Sequence, residues 1–472
     1  MTFSDIVAKL NYVTNDELLP LTSIQTEEDK IEARKKEYSP DFTEKEWSEK
    51  FPRLPAEKIY YLPGFNVGMV YYDMEKVIYL NLRIYDGEVC IPNGKDKYED
   101  TILNLIQKEE EWCKKKEYIR LFMGMPDGLR MAAMQQILKL EGPTSHFYET
   151  FMAEYTACDF PAATLPTDIV DVLLKSKSEE QRNETKRRLD ERFPDTDVIP
   201  VFRGMADKST APDKAFSWSP DINVAVFFAA HLGSYGKVLQ GEVRKKDIIE
   251  YFRPEDEDGQ EHEVFVKPGS VVIKKTIWMY EPDEDALQEA IDATKDIYWD
   301  KADKLQQLYP GERNGGHDCM HSLRVLFLSL LIGHMLDFTD EELNMVADAA
   351  IYHDTGRTND EEDRSHGAAS ARIYQRQGGS NKKVAFAIRT HCWPDDEQKE
   401  LLKKRFPTQA QDAVWRIASV LKDADALDRV RFGIAGVDNS KDGLDVNYLR
   451  NEPSLRLVGV AKKALRHLEM PH

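Results

Sequence analysis

His321, the pair His353-Asp354, His366, His391 and Asp425 stand in that order across the last third of a 472-residue chain. Imidazole nitrogens and carboxylate oxygens together suit a borderline-to-hard divalent cation, and six such groups exceed what one tetrahedral zinc uses. The set predicts a one- or two-metal hydrolytic centre acting on phosphate esters. Six of the eleven histidines fall between His317 and His391, which even scatter would not give. A second set lies upstream: Arg203 in VFRG, Ser217 and Ser219 in AFSWSPDINVAVFFA, and Glu261 and Glu263 in QEHEVFVKPG. Arginine at a strand end can clamp a pyrophosphate through two hydrogen bonds, and a serine can fix a ribose or a carboxylate. Glu261 and Glu263, two apart, share one face of a strand. There one carboxylate could stabilise a ribosyl cation while the other activates a nucleophile.

These residues must be delivered by particular elements. HSLRVLFLSLLIGHML, ELNMVADAAIYH, HGAASARIYQRQ, KKVAFAIRTH and AVWRIASVLKDADAL read as helices by their apolar periodicity. Adjacent His353 and Asp354 point apart on a helical wheel, so a helix end must let both face one ion, and Thr355-Gly356 supplies the break. Asp423 or Asp363 is expected to orient the imidazoles. His317 and His334 are expected only to satisfy hydrogen bonds in the bundle. Upstream, KIYYLPG, VGMVYYD and KVIYLNLRIYDGEVCIP read as short strands, and Tyr98 to Tyr118 as an amphipathic helix. The stretch LFMGMPDGLRMAAMQQIL reads as core. DVIPVFRG and KPGSVVIKKTIWMY bound a β-rich stretch, and the acidic linker EPDED opens the helical region.

HSLRV, YHDTGR, DRSHGAASA, THCW and DADALDR, over roughly residues 310 to 435, resemble the HD-domain metal phosphohydrolases. The resemblance implies that His321, His353, Asp354 and Asp425 bind a divalent ion (Mn, Fe, Ni, Co or Mg). His366 and His391 match positions used for a second ion or for substrate phosphate. It also implies attack on phosphorus by a metal-activated water, with Asp354 in the catalytic set and Arg357 placed to hold a phosphate oxygen. The order Arg, Ser-x-Ser, Glu-x-Glu over roughly residues 145 to 280 resembles the NAD-dependent ADP-ribosyltransferases of the arginine-serine-glutamate type. That resemblance implies that Arg203 holds NAD, Ser217 orients it, Glu263 is the catalytic glutamate and Glu261 selects or activates the acceptor. Gly204 would permit close backbone approach, Ser219 would join the NAD site, and Phe227 or Phe228 would stack on nicotinamide. Trp218 stands where the family has a threonine, and Pro220 follows, so the serines depart from the pattern. A glutamate at position 261 implies a protein acceptor of the arginine type, ahead of nucleic acid.

The expected fold class is α+β multidomain. Residues 1–140 form a small N-terminal α/β region without readable chemistry, 141–282 a mixed α/β ADP-ribosyltransferase-like domain, and 283–472 an all-α HD helical bundle. The formal charge of −20 argues against broad attraction to a phosphate backbone. Five scattered cysteines without a CxxC pair suggest neither a disulfide framework nor a zinc ribbon, so a reducing cytoplasm is expected. Neither a signal peptide nor a membrane-spanning run is read, and no membrane partner is expected. The favoured function is a bifunctional enzyme, an NAD-dependent ADP-ribosyltransferase joined to a metal-dependent phosphohydrolase or phosphodiesterase, acting in sequence on one target. The alternatives are a nucleotide phosphohydrolase with a degenerate NAD- or ADP-ribose-binding domain, and a non-catalytic interaction protein of the toxin or defence type.

Overall fold

The structure is a computed structural model that describes residues 13–64, 68–82, 98–122, 124–158, 168–206, 209–230, 236–252, 262–281, 284–309, 318–358, 364–437 and 442–467. Glu261, Asp363, His317 and Cys90 lie outside the described residues. The chain divides into two compact units, Met1–Arg188 and Leu189–His472.

In the first unit a four-stranded antiparallel sheet runs in order β1 (Leu19–Pro20), β2 (Ile59–Tyr61), β3 (Met69–Asp73), β4 (Ile78–Asn81). The three strands read from sequence are β2 to β4, and β1 is an addition. Helices α1 (Glu27–Lys35) and α2 (Glu44–Lys50) each start on a reciprocal cap, Thr26 with Asp29 and Thr43 with Glu46. Such local chemistry makes helices of segments whose composition is mostly charged. α3 (Tyr98–Lys114) buries Ile102 and Ile106, as its apolar spacing requires. α4 (Tyr118–Leu121), α5 (Asp127–Glu141), α6 (Ser145–Thr156), α7 (Ile169–Ser176) and α8 (Glu179–Arg192) follow. The methionine-rich stretch is core, with Met131 and Met134 of α5 buried.

The second unit holds both residue sets. Two three-stranded antiparallel sheets, one of β10 (Val272–Trp278), β7 (Lys237–Arg244) and β5 (Val198–Met205), the other of β6 (Ser217–Trp218), β9 (Glu263–Val266) and β8 (Ile248–Phe252), precede a helical bundle. The sheets meet where Phe202 N donates to Ser219 O at 2.6 Å and Ser219 N to Phe202 O at 2.9 Å. That junction brings the arginine strand beside the serine strand. α9 (Ile222–Ala229) packs on β5, and a Cβ on Gly204 would lie 2.1 Å from the Ala225 carbonyl oxygen. Gly204 is therefore a packing residue: the space its missing side chain leaves is filled by α9. Gly204→Ala is expected to cost about 1–3 kcal/mol through overpacking, read as a lower thermal midpoint; an unchanged midpoint would remove this role.

The bundle comprises α10 (Asp285–Leu308), α11 (Cys319–Met335), α12 (Asp340–Tyr352), α13 (His366–Arg376), α14 (Lys382–Thr390), α15 (Asp395–Arg405), α16 (Thr408–Asp428), α17 (Glu452–Arg456) and α18 (Val458–His467). One core cluster contains Ala225, Val226 and Ala229 of α9 together with Leu326 and Leu330 of α11 and Leu421 of α16. This core thus draws residues from both sides of the expected boundary near residue 282. The apolar face of α9 has too little sheet to cover it and takes the bundle helices as its other wall. Asn223 fixes the same junction, its Nδ2 donating to Asp445 Oδ1 at 3.0 Å and its Oδ1 accepting from Val446 N at 2.8 Å. Among the described residues no helix is long and apolar enough to cross a membrane.

Candidate metal centre and upstream polar site

Each metal-set residue lies at a helix end. His321 sits in the first turn of α11, whose N-cap Asp318 accepts from His321 N. His353 caps the C-terminus of α12, which stops at Tyr352, so the break needed to turn both His353 and Asp354 inward is present. His391 caps α14 in the same manner. His366 opens α13, held close to the end of α14 because Gly367 has no side chain; a Cβ there would lie 2.6 Å from the Arg389 carbonyl oxygen. Asp425 comes from the last turn of α16.

The six residues converge. His321 Nε2 and His353 Nε2 lie 3.1 Å apart, and His366 Nε2 and His391 Nε2 lie 3.0 Å apart. Asp354 stands between the pairs. Its Oδ2 is 3.6 Å from both His321 and His353, and its Oδ1 is 3.2 Å from His366 and 3.4 Å from His391. Asp425 Oδ1 approaches His321 Nε2 at 3.4 Å. The side chain of Asp425 is 31% exposed against 2% or less for His321, His353 and Asp354, so the centre opens to solvent on the Asp425 side.

The partners on the far side of each ring decide what the centre can hold. His353 Nδ1 donates to the Ala350 carbonyl at 2.7 Å, His391 Nδ1 to the Ile388 carbonyl at 2.8 Å, and His321 Nδ1 to Asp428 Oδ2 at 2.7 Å. With Nδ1 protonated, each neutral ring presents its Nε2 lone pair inward. Ring nitrogens facing one another at such distances repel unless a proton or a metal cation lies between them. Donors roughly 2.1 Å from one ion and at right angles are about 3 Å apart. The donor set therefore fits one or two divalent ions, with His321, His353, Asp354 and Asp425 on one side of Asp354 and His366 and His391 on the other. Cys392 lies near His366 and His391, but burial pushes its thiol up, which disfavours the thiolate a metal needs.

The orienting carboxylate is Asp428, which sequence reasoning left without a role. It receives His321 and is itself held by Arg324 and Arg431. Its signal was present, since Asp428 lies three residues after Asp425 on one face of α16. Asp423 serves another purpose: it accepts from Arg450 N at 3.0 Å, Asn451 N at 2.8 Å and Ser454 Oγ at 2.8 Å, tying the segment after the bundle to α16. Asp428→Asn is expected to weaken metal binding by about 10- to 100-fold. Calorimetric titration with Mn²⁺ checks this, and unchanged affinity would mean that Asp428 does not tune the centre. Arg357 places its Nη1 3.3 Å from His366 Nδ1, at the edge of the second histidine pair.

The upstream set also comes together. Arg203 Nη1 donates to the Ser217 carbonyl at 2.6 Å, and the Ser217 hydroxyl hydrogen-bonds the Glu263 carboxyl. Burial pushes that carboxyl above the usual carboxylate range, opposed by Ser217 and by the charge of Arg203. Ser219 is buried, and its Oγ accepts from Asp221 N at 3.1 Å, shaping the turn into α9. Phe227 is partly buried against the common core beneath Lys462, and Phe228 is 38% exposed.

Residues 319–430 match the family model described as HD domain. Residues 319–430 form an HD domain. Comparison with curated proteins and with solved structures returned no match. An HD domain implies metal-dependent phosphohydrolase activity, and the His/Asp clusters of this one could hold a divalent ion.

Protons and metal compete for the HD-domain histidines. At His321 burial disfavours the charged ring, but hydrogen bonds and charge from Asp425 and Asp428 outweigh it and raise the pKa to about 9. Burial lowers His353 to about 4, so that ring is neutral at pH 7. An ion binding at pH 7 must therefore displace a proton from His321. The sign follows: affinity rises with pH up to about 9 and levels off above it, by roughly tenfold per pH unit for one displaced proton. Mn²⁺ titrations at pH 7 and pH 8 would show the rise, and equal affinities would contradict it.

Proposed function

We propose that the second unit carries two activities, phosphoester hydrolysis at the HD centre and NAD-dependent transfer of ADP-ribose at the upstream site. The transferase reading is carried by one observation. Arg203, Ser217 and Glu263 come from three separate strands and form one connected group, in the order and with the residue types of the arginine-serine-glutamate transferases.

NAD is the substrate of that site. Arg203 supplies the fixed cation that a pyrophosphate-bearing substrate needs. Glu263 must be ionised to stabilise positive charge developing on a ribose, and Ser217 and Arg203 both favour its ionised form against burial. The acceptor is an arginine-type side chain of a protein, on the argument from Glu261. Incubation with labelled NAD and a cell lysate tests the reading: label on protein supports it, and its absence with active, folded enzyme rejects it.

In the HD domain a bound divalent ion supplies charge neutralisation at phosphorus and lowers the pKa of water. His321, His353, Asp354 and Asp425 hold one such ion, and His366 and His391 hold a second or receive substrate phosphate. Arg357, beside His366, sets a cation at that end. Asp428 holds His321 in the orientation that aims Nε2 at the ion. A phosphate-linked adduct made at the transferase site is a natural substrate for this centre. Hydrolysis of its pyrophosphate adds one water, releases a nucleoside monophosphate and leaves a phosphoribosyl group on the acceptor.

A further inference from the structure

The two histidine pairs of the HD centre are alike in distance, Nε2 to Nε2 3.1 Å in one and 3.0 Å in the other, but the atoms behind the rings differ. His321 Nδ1 donates to Asp428 and His353 Nδ1 to the Ala350 carbonyl, so both Nε2 atoms of the first pair turn lone pairs toward one another. Arg431 also comes within 3.2 Å of His321 Nδ1, but its Nη1 donates to the same Asp428 carboxylate, which takes the ring hydrogen. In the second pair His391 follows this pattern, through the Ile388 carbonyl. His366 departs from it: its Nδ1 lies 3.3 Å from Arg357 Nη1. A guanidinium nitrogen donates and cannot accept, so Nδ1 of a neutral His366 is the acceptor and the ring hydrogen sits on Nε2.

That hydrogen satisfies the second pair without an ion. His366 Nε2–H faces the His391 Nε2 lone pair at 3.0 Å and Asp354 Oδ1 at 3.2 Å. Donor meets acceptor there, whereas the first pair sets acceptor against acceptor. With Oδ1 engaged by His366, Asp354 keeps Oδ2, 3.6 Å from both His321 and His353, for an ion. A ring nitrogen that carries hydrogen has no lone pair for a metal. The loop holds Arg357 to this task. Arg357 N donates to the Asp354 carbonyl at 3.0 Å, and Gly356 N donates to Ser370 Oγ at 2.9 Å, a turn beyond His366 on α13. A Cβ on Gly356 would lie 2.5 Å from Ser370 N, so the glycine lets the loop close on the helix that carries His366.

We infer that Arg357 limits the HD centre to a single resident ion, held by His321, His353, Asp354 and Asp425, and makes the second histidine pair a hydrogen-bonding group instead of a second metal site. Arg357 is here a positioning residue, acting on the centre through the tautomer of His366. This rests on the hydrolase reading for the presence of an ion.

The ion count is measured on the full chain by elemental analysis and by calorimetric titration with Mn²⁺, and paramagnetic resonance separates lone from coupled Mn²⁺ ions. The unaltered chain is expected to hold one uncoupled ion. Arg357→Gln, whose side-chain oxygen can accept from Nδ1–H, is expected to turn the His366 lone pair inward and raise the count to two, with a coupled spectrum. Arg357→Lys, still a donor alone, is expected to stay at one. His366→Ala is expected to keep one ion at unchanged affinity, where loss of a group that orients the ion's ligands costs about 10- to 100-fold. Thermal melts verify folding. Two coupled ions in the unaltered chain, loss of an ion in His366→Ala, or a folded Arg357→Gln protein that stays at one would overturn the inference. Hydrolysis of bis(p-nitrophenyl) phosphate is measured alongside. If hydrolysis is metal-dependent but the counts run against expectation, the inference is wrong and the hydrolase reading stands. If the counts follow expectation and the ester is not cut, the inference stands and the hydrolase reading falls. A chain that binds no ion refutes both.

Discussion

Asp354→Asn is expected to strip the HD centre of metal and lower hydrolysis of a generic phosphodiester by roughly a thousandfold, the equivalent of several kcal/mol of lost charge stabilisation. The size follows from its position. Its two oxygens face the two histidine pairs separately, at 3.2 and 3.4 Å on one side and 3.6 Å on the other. An asparagine fills the same volume but removes the negative charge that both pairs share. Loss of an orienting group such as Asp428 costs about 10- to 100-fold in metal affinity, and loss of a ligand at the centre should cost more. Metal content by elemental analysis and turnover of bis(p-nitrophenyl) phosphate are the readouts. A fully metallated, fully active Asp354→Asn protein would show that the centre is not the hydrolytic site. NAD consumption should survive this substitution, because Asp354 belongs to the bundle and not to the upstream strands.

Glu263→Gln is expected to produce the complementary result, a fall in NAD consumption of about 10²- to 10⁴-fold with phosphodiesterase activity intact. Glutamine keeps the shape and can still receive Ser217, so the fold should be preserved while the charge is lost. The substitution removes a buried carboxyl whose ionisation burial opposes, and the thermal midpoint should therefore hold or rise slightly. NAD consumption unaffected by Glu263→Gln would leave the upstream site as a binding module at most. The two variants together separate the halves, since each should silence one activity alone.

The HD centre was legible because its ligands sit at helix ends that announce themselves. Thr355-Gly356 marks the stop after His353-Asp354, and α12 ends at Tyr352. That Arg203, Ser217 and Glu263 come together was legible from residue type and order alone, and the bridge between Phe202 and Ser219 is the long-range contact that brings their strands side by side. Other features turned on tertiary contacts that periodicity does not carry. Gly204 looked like an allowance for a ligand, yet α9 uses the space. Asp423 and Asp428 are both carboxylates near the end of α16. Only the three-dimensional placement of Arg450 and Ser454 against one, and of His321 against the other, separates the anchor from the orienting group. The continuity of the core through α9 was likewise hidden, because α9 is apolar apart from Asn223 and its second wall lies far away in sequence.

The central claim is that two active sites in one compact unit handle the same phosphate-linked group. It is tested most directly by the mass added to a modified acceptor after incubation with NAD, with and without a metal chelator. The account predicts a phosphoribosyl increment with metal present and the full ADP-ribosyl increment when the chelator is added. An identical added mass under both conditions, or no adduct from NAD at all, would contradict it.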